Sequence, residues 1–257
     1  MGGQDMAMDY DSLLSIVKNT RSIRRFKPDP LPREYIDKIV EVARWAPSGY
    51  NQQPWEFVVV ENADLRQKIA QTTAAYWTQS RDMESTRESW QGVWKPEPMG
   101  SPADYSVAPA YILVLGDIRT KTGLPMGVRC DVHRLETIFT SSLANAFLYM
   151  HMAAGCLGLA SQWVSAVSTP YAHCLIKHYL GIPEYLEIYD MLALGFPAVQ
   201  PRPKLLRDKE NMLHFDYCGK QAFRTDDEVR DFIRSARTWT MASHARKADQ
   251  LESGSER

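Results

Sequence analysis

Between Leu135 and Ala154 the chain carries few charges beyond the first turn of what its spacing predicts to be one long helix. A helix that is apolar all round has no face to offer water, so it lies in a core or in a subunit interface. The rest of the chain must supply the layers that cover it. Four short apolar runs read as strands, over 55–60, 110–115, 163–167 and 188–194. In the first, Phe57 to Val60 follow one another without a polar break, which predicts a strand covered on both faces.

Amphipathic helices accompany the strands. Leu13, Leu14 and Val17 share an inner face behind a cap at Asp11 or Ser12. Ile36, Ile39, Val40 and Ala43 recur at helical spacing until Pro47 stops the run. Further helices are expected over 64–73, over 172–180 before Gly181 and Pro183, and from 226 to about 242. With no internal repeat and no clean linker, the order of elements predicts one α+β domain whose mixed, mostly antiparallel sheet is flanked by helices.

Composition excludes several functions. The 257 residues carry a net charge of −1, so no global field draws nucleic acid or an anionic membrane. Residues 1–10 lack a basic start followed by an apolar core, and no apolar run is long enough to span a bilayer. A cytoplasmic location is expected. Cys130, Cys156, Cys174 and Cys218 form no Cys-x-x-Cys pair and read as reduced thiols. His173 and His178 are five apart, which misses one helical face, and no metal site is expected.

Any chemistry therefore rests on local clusters. Arg21, Ser22, Arg24 and Arg25 fall within five residues. Guanidinium forks and a hydroxyl suit a phosphate monoester, though such a block alone also fits a solvated basic turn. The turn from Pro47 to Trp55 places Asn51, Gln52 and Gln53 before a strand, where amides could meet a ring edge bearing C=O and N–H groups or simply fill a loop. From Gly155 to Ser168 small residues surround Ser165 and Ala166, which would let a planar ring approach the backbone or merely join a helix to a strand. Lys204 and Arg207 sit after Pro197, Pro201 and Pro203, as a second half of a phosphate clamp or as a solvated basic loop.

In this order the segments resemble the nitroreductase family, dimeric enzymes that use flavin mononucleotide (FMN). The resemblance is carried by Arg-Ser-Ile-Arg-Arg-Phe at 21–26, by the turn at 47–55, by the corner at 158–160 and by the basic loop within 195–207. It implies a three-layer α/β/α fold and a homodimer. Arg21 and Ser22 would hold the phosphate or ribityl end, and Arg24 would lie near N1 and O2 of the flavin. Asn51 and Gln53 would meet the pyrimidine edge or ribityl chain, with Pro47 and Ser48 coming from the partner subunit. Ser165 and Ala166 would lie beside N5, and Lys204 and Arg207 would finish the phosphate site. Arg24 and Ser165 are the residues expected to act in catalysis. Ala160 stands where the family commonly has glycine, and Leu206 where a cation is usual.

The family-like domain is expected over 9–220, followed by a helical extension at 221–245 and a polar tail at 246–257. Within it, 76–109 mixes charge with Trp77, Trp90, Trp94 and Tyr105, then runs through Pro96, Pro98, Gly100 and Pro102. A long aromatic loop in a compact domain suggests a substrate lid. The function implied is transfer of reducing equivalents from NADH or NADPH through FMN to a planar conjugated acceptor such as a nitroaromatic, quinone or activated alkene. Reductive dehalogenation or dehydrogenation on the same scaffold is the alternative, with flavin binding without turnover as another. No motif announces the flavin-fragmenting or halotyrosine-deiodinating branches.

Overall fold

The computed structural model describes residues 10–80, 83, 86–91, 105–200, 204–219 and 223–236. The chain divides into two compact units, residues 1–79 with 98–201 and residues 80–97 with 202–257.

The first unit is built on four strands, β1 (Trp55–Val60), β2 (Ala110–Asp117), β3 (Ala160–Val164) and β4 (Leu186–Gly195), in the order β1-β2-β4-β3. All three pairings are antiparallel. A parallel bridge joins Ser22, outside the named strands, to Ser161 of β3. Alternate residues sort to the two faces. Ala110, Ile112 and Val114 of β2, with Leu192 and Leu194 of β4, face one core; Tyr111, Leu113 and Leu115, with Met191 and Ala193, face the other.

Helices cover both faces, which makes three layers. The first core is closed by α2 (Arg33–Ala43) through Ile36, Ile39 and Ala43, and by α5 (Val132–Cys156) through Phe139, Leu143, Phe147 and Met150. The second is closed by Ile69 and Ala70 of α3 (Ala63–Ser80) and by Ala172 and Ile176 of α6 (Pro170–Leu180). The ends of these helices follow from the sequence. Asp131 caps α5 by accepting from the Arg134 N–H, Pro170 opens α6, and Gly181 closes it at a φ of 64°. The short α4 (Met126–Arg129) leads into α5. Among the described residues no helix is long and apolar enough to cross a membrane.

Several expectations are corrected. The strand read over 163–167 begins at Ala160 and ends at Val164. Gly158, at a φ of 70°, turns the chain within two residues of the end of α5, so pairing starts sooner. β1 is an edge strand with Glu56 exposed, and it packs on both faces as expected, Trp55, Phe57 and Val59 on the first core and Val58 and Val60 on the second, with Phe57 to Val59 half-buried. The helix expected over 64–73 continues to Ser80. The first helix, α1 (Tyr10–Asn19), buries no residue in a single chain, although Leu13, Leu14 and Val17 were read as its inner face. Tyr105, expected in a lid, is a core residue only 3% exposed. It shares a short hydrogen bond with Thr73 and packs edge-on against Tyr111.

In the second unit, a helix over 226–236 (α7) begins with a reciprocal cap. Glu228 accepts from the Thr225 N–H at 2.7 Å, and Thr225 Oγ1 accepts from the Glu228 N–H at 3.3 Å. The Arg230 guanidinium lies 5.7 Å from the Trp90 ring. Trp94, Pro201 and Pro203, and the expected end of α7, lie outside the described residues.

Candidate functional site

The basic block lies as an extended segment along the free edge of β3. Ile23 donates to the Ser161 carbonyl at 3.0 Å, Lys27 to the Phe196 carbonyl at 2.9 Å, and Ala198 to the Arg25 carbonyl at 3.0 Å. Phe26 anchors the segment in the second core, where a Cβ on Gly195 would fall 3.0 Å from its ring. The cations are thereby held on a fixed backbone. Arg21 donates to the Thr20 carbonyl at 2.9 Å, yet its buried Nε has no hydrogen-bond partner. Arg24 donates to the Ser22 carbonyl at 3.5 Å. Behind the block, Ser161 Oγ meets His151 Nδ1 at 2.7 Å, and burial pushes that imidazole down to about 4, so it is neutral.

The turn after α2 is bound to α5. Asn145 donates to the Pro47 carbonyl at 2.9 Å, and Ser142 Oγ accepts from the Gly49 N–H at 3.0 Å. A Cβ on Gly49 would fall 2.3 Å from Ile138 Cγ2, so only glycine lets the turn approach the helix this closely. Tyr50, Asn51 and Gln53 hold φ values of 54°, 53° and 44°, a left-handed backbone that costs energy for such residues and clusters at functional sites. Ser48 Oγ accepts from the Gln53 N–H, and Gln53 Nε2 donates to Asn51 Oδ1, each at 3.0 Å. Ser48, Asn51 and Gln53 are thus brought together.

Ser165 and Ala166 follow β3 directly. Ser165 is exposed and Ala166 buried, and the Ser165 carbonyl accepts from Ser168 Oγ at 2.8 Å. Ser165 opens on a groove of about 450 Å³, whose lining includes Phe139, Thr140, Ser168, Tyr189 and Asp190. Asp190 was not foreseen. It lies on the α5 side by simple alternation with Leu192 and Leu194, and just before it the register of β2 with β4 slips between Val114, opposite Asp190, and Leu115, opposite Ile188. That bulge turns the preceding Tyr189 to the same side.

Asp190 is 7% exposed. Its Oδ2 accepts from Trp163 Nε1 at 2.5 Å, and its Oδ1 from Ser168 Oγ at 3.4 Å. Burial pushes the carboxyl up to about 6 against these two bonds, which pull it down. The Trp163 indole is itself fixed by Phe147, 4.0 Å away between centroids. On the rim, Lys121 pairs with Glu136 at 2.6 Å, and Glu187 pairs with His173 at 2.9 Å and Lys177 at 3.2 Å.

The remaining predicted residues are placed as follows. Lys204 and Arg207 belong to the second unit, where Lys204 is exposed and Arg207 donates to the Asn211 carbonyl at 3.1 Å. Trp90 is half-buried there and donates to Glu88 at 2.6 Å. Trp77 lies within α3. The signal that would have found Asp190 is a lone acid in an otherwise apolar strand, and for His151 a lone imidazole in an apolar helix. No cluster of three or more His, Cys, Asp or Glu that could hold a metal occurs among the described residues.

Comparison with known proteins places these features in context. The nitroreductase family model matches residues 17–196. A protein of Methanothermobacter thermautotrophicus, provisionally named an NADH dehydrogenase/NAD(P)H nitroreductase, is 24% identical over 200 residues, covering 78% of this chain and 85% of that one. The iodotyrosine deiodinase of Nematostella vectensis is 38% identical over 199 residues, covering 71% of this chain and 66% of its own length. The crystal structure of a nitroreductase with bound FMN from Bacteroides fragilis superposes with a TM-score of 0.59 at 22% identity, covering 80% of this chain and 98% of the other. At that identity it shows the fold alone.

Proposed function

The chain belongs to the nitroreductase family, and on that premise we propose that it is an FMN-dependent oxidoreductase. It passes reducing equivalents from NADH or NADPH to a planar conjugated acceptor, such as a nitroaromatic, quinone or activated alkene. The observation that carries this reading is the run of β3 from Ser161, which holds the basic block, to Ser165, which opens on the groove. Those four steps of extended chain span about 13 Å, the scale of a ligand with a phosphate at one end and a flat ring at the other. The buried Arg21 Nε, with no hydrogen-bond partner, fits an anion at the phosphate end.

When bound, FMN supplies a carrier that takes hydride at N5 and passes electrons on. Arg21 and Ser22 bind the phosphate and ribityl end. Arg24 offers positive charge to the pyrimidine edge, where negative charge collects on reduction. Ser165 and Ala166 present backbone N–H groups beside the reacting edge. Asn51 and Gln53 would supply amides and, being hydrogen-bonded into one turn with Ser48, would come with Pro47 and Ser48 from the second subunit. Lys204 and Arg207 are proposed as further phosphate ligands on the family resemblance alone. The segment 76–109, with Trp77 and Trp90, is proposed to select the acceptor.

A homodimer is part of the proposal. Every residue of α1 is left unburied in a single chain, and Val17 is 48% exposed, Leu148 45% and Trp45 74%. Such a surface fits a second copy. A second reading, reductive dehalogenation of an aromatic, is favoured by the 38% identity to a deiodinase.

The visible spectrum of the purified protein, followed by anaerobic titration with NADH and with NADPH, tests the proposal. A bound flavin bleached by one of them is expected. A colourless protein that takes up no FMN on reconstitution would overturn it. A yellow protein that oxidises neither nicotinamide with any acceptor would instead be a flavin-binding protein without turnover. Release of halide from an iodinated phenol would select the second reading.

A further inference from the structure

Buried carboxylates are ordinarily paired with a cation, because a lone charge away from water is costly. Asp190 is held by two neutral donors, the Trp163 indole and the Ser168 hydroxyl. The charged groups around it are satisfied among themselves. From α5 comes Glu136, paired with Lys121 of the 118–123 turn. From β4 itself comes Glu187, paired with His173 and Lys177 of α6. Tyr189, next in the strand, is held neutral by burial and by Asp190, both of which raise its phenol.

The groove in front of this carboxylate has the chemistry of a specific pocket. Phe139 and Tyr189 provide ring surface, Thr140, Ser165 and Ser168 provide hydroxyls, and Asp190 faces inward beside Tyr189, which the bulge turns to the same side. The volume of about 450 Å³ takes one ring with a short side chain.

We propose that this groove binds an aromatic or heteroaromatic molecule bearing a protonated amine, with the ring against Phe139 and Tyr189 and the ammonium on Asp190. The proposal narrows the acceptor class and rests on the flavin reading only in taking the Ser165 end as the reacting end. The cation of the ligand supplies the partner that the fold withholds. Trp163 and Ser168 act as positioning residues that orient the two carboxylate oxygens.

The test is calorimetric titration of the purified full-length protein with phenethylamine and with its neutral isostere 2-phenylethanol. Since the measurement needs no turnover, it reads the groove whether or not the flavin reading holds. At about pH 7.5, above the Asp190 carboxyl, the amine should bind about ten-fold or more tightly than the alcohol. At about pH 5, where Asp190 is protonated and the amine still charged, most of that advantage should vanish. Asp190→Asn should abolish the preference at both values, which assigns it to this carboxylate. Ser168→Ala, which keeps the carboxylate and removes one donor, should retain the preference with its pH break moved upward. Equal affinity for the two probes at about pH 7.5 would overturn the proposal. So would a preference that survives Asp190→Asn, that does not fall at low pH, or that is lost instead in Glu136→Gln.

Discussion

Ser161 Oγ lies 2.7 Å from His151 Nδ1, and the carbonyl of the same serine accepts from the Ile23 N–H. One residue thus ties the C-terminal part of the long helix to the backbone of the basic block. The imidazole must stay neutral, since a charge there would be buried without an anion. Asp190 is the opposite case, a carboxyl whose burial favours the protonated form.

These two groups oppose each other in the pH dependence of stability. His151 falls from its ordinary 6.5 to about 4, so between those values the unfolded chain binds a proton that the fold excludes, and acid costs stability. Asp190 rises from 3.8 to about 6, so over nearly the same window the fold binds a proton that the unfolded chain does not, and acid adds stability. Each shift is worth at most about 3 kcal/mol. Relative to the parent, His151→Gln should gain stability as pH falls from about 6.5 to about 4, and Asp190→Asn should lose it. Urea unfolding midpoints across that range check this, and parallel curves for all three proteins would refute it. Near neutral pH, Asp190→Asn should be the more stable chain, because it no longer holds a buried charge.

Gly49→Ala should destabilise by about 1–3 kcal/mol through overpacking against Ile138. Ile138→Ala in the same chain should restore part of the loss. Thermal unfolding of the two single variants and the double variant measures the coupling. Strictly additive effects would mean that the turn and helix do not press on each other.

Arg21→Ala should weaken FMN binding by about 1.5–3 kcal/mol, roughly ten- to hundred-fold. Flavin fluorescence on dilution reads the release. Unchanged affinity would remove Arg21 from the phosphate site.

Val17→Asp with Leu148→Glu should shift sedimentation toward a monomer. Both residues are exposed in the single chain, so the fold itself should tolerate them. A doubly substituted protein that sediments as the parent does would exclude this surface from the interface.

Trp90→Ala should slow turnover of bulky aromatic acceptors several-fold, in line with about 0.5–1.5 kcal/mol of lost stacking. Reduction of the flavin by nicotinamide should change less. Equal slowing of both half-reactions, with a lower melting temperature, would make Trp90 structural.

How much of this was legible follows the range over which each feature is encoded. The strands at 55–60 and 110–115 announce themselves, because consecutive apolar and β-branched residues carry the signal, and the second runs on two residues to Asp117. The basic block was equally readable, since its residues are neighbours. The pins on the turn were not, because Ser142 and Asn145 act from 93 and 98 residues away. The start of β3 was missed because the left-handed Gly158 shortens the connection. Asp190 was passed over because a lone acid in an apolar strand gives no local sign of Trp163 and Ser168, the donors 27 and 22 residues away that hold it. Tyr105 was misread because its proline-rich surroundings resemble a surface loop, whereas its hydroxyl finds a partner on α3.

The extended segment at Ser22 and Ile23 also protects the sheet. β3 is an edge strand, and bare edges are templates for pairing with other chains. Here the cover is the same stretch of backbone that carries Arg21, Arg24 and Arg25. Whatever loosens this segment exposes a sticky margin, and whatever anchors it keeps the molecule apart from its neighbours.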